Sequence, residues 1–93
     1  MQVQPLHAAV AARNAEAVAA ILEQGADPNV RQQAGYTPLV QAAAAGRGDI
    51  ADLLLAGGAD PSLANEEGKS AAAVADEHGH AALARRLSPA SAG

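Results

Sequence analysis

Apolar positions along this chain recur with a helical period, in short runs that stop at glycine. Ile50, Leu53 and Leu54 fall at the one, four, five spacing of a buried helix face. Gly58 ends that run, and Asp49 stands where a carboxylate suits the first turn of a helix. Just upstream, Thr37 is placed to cap a helix whose first residue is Pro38, where the missing N–H costs nothing. Gly46 stops this helix after about two turns, because glycine enters the left-handed C′ conformation freely. Val18, Ile21 and Leu22 repeat the apolar spacing within residues 15–24, and a weaker copy runs from His80 to Leu87. The predicted unit is helix–turn–helix–loop, and one such unit is too thin to bury a core of its own.

The punctuation repeats as well. Gly25-Ala26-Asp27-Pro28 returns as Gly58-Ala59-Asp60-Pro61, and Gln4-Pro5-Leu6 returns as Thr37-Pro38-Leu39. Gly35 pairs with Gly68 and Gly46 with Gly79, and all four marks agree on a step of 33 residues. A thin unit repeated at a fixed step predicts a stacked solenoid. The residues carrying the pattern are Gly-x-Thr-Pro-Leu at 35–39, Ala42-Ala43, Gly46, Leu54-Leu55 and Gly58-Ala59-Asp60, with Pro5-Leu6-His7 and Gly25-Ala26-Asp27. Together they resemble an ankyrin repeat over nearly the whole chain. The implied fold is all-α: an ankyrin-repeat solenoid of stacked helix-turn-helix units with projecting hairpin-like loops. One domain over 1–88 then divides into units at about 2–34, 35–67 and 68–88, followed by a flexible tail at 89–93.

The resemblance also implies roles. A histidine after Pro-Leu, here His7, serves a hydrogen-bond network between neighbouring turns; Val40 takes the matching place in the next unit. The loops are implied to project as fingers, with Gln32 standing where the family often has an aspartate. By the same analogy the partner-reading places are Gln33, Ala34 and Tyr36, then Ala44 and Ala45 of the inner helix. In the next unit they are Glu66, Glu67, Lys69, Glu77 and His78, and the first unit offers Ala11 and Ala12. The implied function is a non-catalytic module that binds another protein through its concave face and loop tips. The alternative is a regulatory or targeting segment of a larger enzyme or complex.

The end units depart from the pattern. Arg13 stands in the place of Gly46, so the first corner is expected to turn through Asn14, which tolerates the left-handed region. In the third unit Thr-Pro-Leu becomes Ser70-Ala71-Ala72, and Arg86 falls 33 residues after Leu53. A charge at a place buried between units is what a closing cap needs, since its outer face meets water.

Composition narrows the chemistry. There are 27 alanines, one tyrosine, and no phenylalanine, tryptophan or cysteine. Close approach of helices through alanine therefore replaces aromatic anchors, and neither disulfides nor thiolate metal sites are available. A net charge of −4 with six scattered basic residues argues against a nucleic-acid partner. No apolar run approaches a membrane span and no signal peptide is recognisable, so a cytoplasmic monomer is the expectation. Asp76-Glu77-His78-Gly79-His80 is the one cluster with metal-ligand types, but Gly79 is placed to splay the imidazoles apart and no metal template is present. Gly46-Arg47-Gly48 lacks the lysine of a phosphate loop. No catalytic residue, metal or cofactor is expected.

Overall fold

A computed structural model describes residues 5–88, and every regular element among them is helical. Three inner helices, α1 (Pro5–Ala11), α3 (Pro38–Ala45) and α5 (Ala71–Glu77), alternate with three outer helices, α2 (Ala15–Glu23), α4 (Gly48–Ala56) and α6 (Ala81–Leu87). Each inner helix packs against the outer helix that follows it, and α3 packs between α1 and α5. Gln4, which matches the Thr37 cap one step earlier, and the tail at 89–93 lie outside the described residues.

Local signals in the middle unit act as their chemistry dictates. Thr37 Oγ1 accepts from the Val40 N–H at 3.2 Å, Pro38 is the first helical residue, and Gly46 closes α3 in the left-handed conformation at φ 72°. Gly46 is required twice over, because a Cβ there would lie 2.6 Å from the His80 ring. Ser70 reproduces the threonine cap for α5, accepting from the Ala73 N–H at 3.3 Å. The first corner differs from expectation: Arg13 itself takes the left-handed conformation at φ 57°. Asn14 stays extended and caps α2, its Oδ1 accepting from the Ala17 N–H at 3.1 Å. An asparagine at the N-cap satisfies an otherwise orphaned donor, and that use wins over its tolerance of positive φ.

The core lies between the helix layers. Leu6, Val10, Val18, Leu39, Val40, Ile50, Leu54, Val74, Leu83 and Leu87 are buried, with alanines 42, 43, 51 and 75 filling the close approaches. Leu53 is only half-buried, so its place is the edge of the interface rather than its centre. That changes the meaning of Arg86. Its guanidinium does not face the free end of the stack; it reaches back over Gly48 and pairs with Asp52 of α4. The residue that makes the closing face polar is Asp76, exposed at the place where Val10 and Ala43 are buried.

The units are further tied by polar links. His7 Nε2 lies 3.0 Å from the Tyr36 carbonyl and donates to it, and Gln41 Nε2 donates to the His7 carbonyl at 3.2 Å. Asn29 bridges the loop that follows α4, its Oδ1 accepting from the Asp60 N–H at 2.8 Å and its Nδ2 donating to the Gly58 carbonyl at 3.5 Å. The histidine network implied by the resemblance is therefore in place.

Candidate functional site

The two fingers are tight turns, closed by backbone hydrogen bonds rather than by a strand ladder. Gln33 opens a 3₁₀ turn that runs to Gly35, and Ala34 and Gly35 both take positive φ, at 61° and 73°. The Gln32 N–H donates across the tip to the Tyr36 carbonyl at 2.9 Å. Gly35 is needed for space as well as for conformation, since a Cβ there would stand 2.9 Å from the Glu66 backbone nitrogen. In the second finger the Asn65 N–H donates to the Lys69 carbonyl at 2.9 Å. Asn65 also replaces the family's aspartate functionally: its buried Oδ1 accepts from the Glu67 and Lys69 N–H groups at 2.9 and 3.0 Å. Among the described residues Gln32 has no such pair of bonds, and the first tip is closed by its backbone. The Glu66 N–H donates to the Ala34 carbonyl at 2.9 Å, joining one finger to the next.

This joint brings Tyr36, Glu67, Lys69 and Glu77 into one neighbourhood. Lys69 pairs with Glu77 at the end of α5. Its ammonium is held above the usual lysine range by that hydrogen bond first, with the charges of Glu77 and Glu67 and the Tyr36 phenol adding to the effect. Tyr36 is half-buried and packs against the core while keeping part of its ring open. With His7, Gln32 and Gln41 it lines a depression of about 210 Å³. His7 Nδ1 and Gln41 Oε1 have no hydrogen-bond partner among the described residues. Because His7 Nε2 donates to a carbonyl, Nδ1 is a bare acceptor in the neutral ring.

The expected places differ in exposure. Ala34, Glu66, Glu67 and Glu77 are exposed, and so is His78, which ends α5 with Nδ1 2.9 Å from the Val74 carbonyl. Ala44 and Ala45 are half-buried, Ala44 against the core, whereas Ala11 and Ala12 are exposed. The alanines at these matching places are thus open in the first unit and partly covered in the second. Sequence reasoning passed over Gln41 and Asn65. The signal for Gln41 was a polar residue in the place that Ala8 holds one step earlier; Asn65 stands where Gln32 stands, one amide for another, and gave no such contrast. Among the described residues no three histidine or acidic side chains gather as metal ligands, and no helix is long and apolar enough to cross a membrane.

A family model described as ankyrin repeats, in three copies, matches residues 6–92. No curated protein matches the chain.

Proposed function

Because the chain belongs to the ankyrin-repeat family, whose members are generally protein-interaction modules and typically non-catalytic, we propose that it binds another protein across its joined fingers and the adjoining end of α5. The observation that carries this reading is the cluster around Tyr36. A half-open aromatic ring beside a depression with unfilled acceptors suits a buried contact, since tyrosine combines apolar area with few rotors. Lys69 occupies Glu77, so the acidic groups left for a partner on the second finger are Glu66 and Glu67. The partner segment accordingly has a basic end over the second finger and an apolar residue on Tyr36. On this reading the chain acts as a monomer in the cytoplasm.

Affinity capture from the host identifies the partner, and calorimetry then compares three variants. Tyr36→Ala is expected to weaken binding about tenfold or more, as a central aromatic contact does. The double change Glu66→Lys with Glu67→Lys slows association and flattens its salt dependence. Glu23→Lys, exposed on α2, leaves binding unchanged. A larger loss from Glu23→Lys than from the finger variants overturns the assignment.

A further inference from the structure

Lys69 is the only lysine of the chain, and its ammonium reaches from the second finger to the Glu77 carboxylate at the end of α5. A bridge of this kind can serve to hold a finger in place, but this finger does not depend on it. The Lys69 N–H donates to Asn65 Oδ1 at 3.0 Å, and the Lys69 carbonyl accepts from the Asn65 N–H at 2.9 Å. The Gly68 N–H donates to the Asn65 carbonyl, and the Glu66 N–H ties the turn to Ala34, both at 2.9 Å. These bonds belong to the backbone and to Asn65, and none uses the Lys69 side chain. Nor does α5 need Glu77 for its closure, since the His78 N–H already bonds the Val74 and Ala75 carbonyls at 3.2 Å. The flexible lysine stem can therefore swing away while both elements keep their shape.

The other ion pairs among the described residues are built differently. Arg47 grips Asp49 with two arms, Nε to Oδ1 at 3.1 Å and Nη2 to Oδ2 at 2.7 Å, and donates a third bond to the Arg13 carbonyl. Arg86 lies over Gly48 in the outer layer, away from the fingers. Lys69 gives Glu77 a single point charge on one oxygen, Oε2, and the two side chains keep 37% and 48% of their surface in water. An exposed pair of this kind adds little to stability, so exchanging its cation costs little. A guanidinium can engage both carboxylate oxygens at once, whereas a second ammonium only replaces like with like.

We propose that Lys69 is an internal, displaceable cover for Glu77: an arginine of the bound partner takes the carboxylate with two arms of its guanidinium, and the Lys69 ammonium swings out into water. This rests on the reading that a partner lays its basic end over the second finger, and it names the group that receives that end. Until the exchange, the fingers present Glu66 and Glu67 alone. A segment whose basic residue is lysine gains nothing from Glu77.

The test uses two short probes, the peptide amide acetyl-Leu-Ala-Arg-Arg and its counterpart with two lysines, added to the isotope-labelled full chain and followed by NMR. Saturable amide shifts are expected at 66–69 and at Tyr36 and Glu77, and tighter binding of the arginine peptide. Lys69→Gln should tighten that peptide about two- to fivefold, the range that an exposed pair spans. Arg86→Gln, which removes an equal charge from a pair elsewhere, should leave it unchanged. In a Glu77→Gln background Lys69→Gln should give no gain, because nothing remains to uncover. Three results overturn the proposal while leaving the finger reading in place. Equal gains from Lys69→Gln and Arg86→Gln mean that net charge alone acts. A gain that persists in the Glu77→Gln background means that Lys69 merely repels the probe. Equal affinities for the two peptides deny the two-armed exchange. Saturable shifts elsewhere on the chain, or none, overturn the finger reading and the proposal with it.

Discussion

The two junctions in this stack are built differently. Between the first and second units both layers engage: α1 packs on α3 and α2 on α4. Between the second and third units the inner layer engages fully, α3 on α5, but α6 leans chiefly on α5. The polar links differ in kind too. The first junction is laced by His7, Gln41, Asn29 and Arg47, whose Nη1 donates to the Arg13 carbonyl at 3.3 Å. The outer layer of the second is a close approach over glycine, with the His80 ring on Gly46 and Arg86 over Gly48, plus the exposed Arg86–Asp52 pair. Directional bonds from side chains to backbone groups fix register, and His7 makes one from a buried place, whereas an exposed ion pair adds little to stability. The middle unit is therefore held on both layers from one side and mainly on one layer from the other.

The largest test of that difference is in the core. Leu54 and Leu87 occupy the same place one step apart and are equally buried. Leu54→Ala is predicted to cost about 2–5 kcal/mol, the usual range for a buried leucine. Leu87→Ala is predicted to cost less despite equal burial, because α6 has one full helix partner and can settle into the cavity. Denaturant midpoints of the two variants decide it; equal losses would mean that α6 is as firmly held as α4.

The polar links come next. His7→Ala removes one of the two donors to the Tyr36 carbonyl, the Gln32 N–H remaining, and the lost hydrogen bond should cost about 0.5–1.5 kcal/mol, with the emptied buried place adding to it. Arg86→Ala removes an exposed pair and should cost at most about 1 kcal/mol, vanishing in high salt. Thermal unfolding at two salt concentrations ranks them. A larger effect from Arg86→Ala would transfer the weight of the account to the second junction.

Much of this was legible in the sequence because it is encoded locally. Thr37, Pro38 and Gly46 each state a backbone conformation, and their recurrence at one step states the stack. His7 was legible through its neighbours Pro5-Leu6 and the family they resemble. What was hidden depends on the side of a helix that meets the next unit. An alanine-rich helix gives no contrast between its two flanks, so the partial burial of Ala44 and Ala45 could not be read. Arg86 is distant in sequence from Asp52, and no local pattern announces that it turns inward. The same holds for Lys69 and Glu77, which sit eight residues apart and meet only because α5 returns to the finger. The sequence thus shows these residues as separate places, and their meeting around Lys69 follows only from the fold.

Native-state hydrogen exchange addresses the asymmetry between the junctions most directly. Under conditions where exchange reports opening equilibria, amides of α3 and α4 should exchange with the global unfolding free energy. Amides of α6 should exchange through a cheaper local opening that leaves α2 and α4 protected. Protection in α6 equal to that in α4, or first opening at α2, would contradict the account.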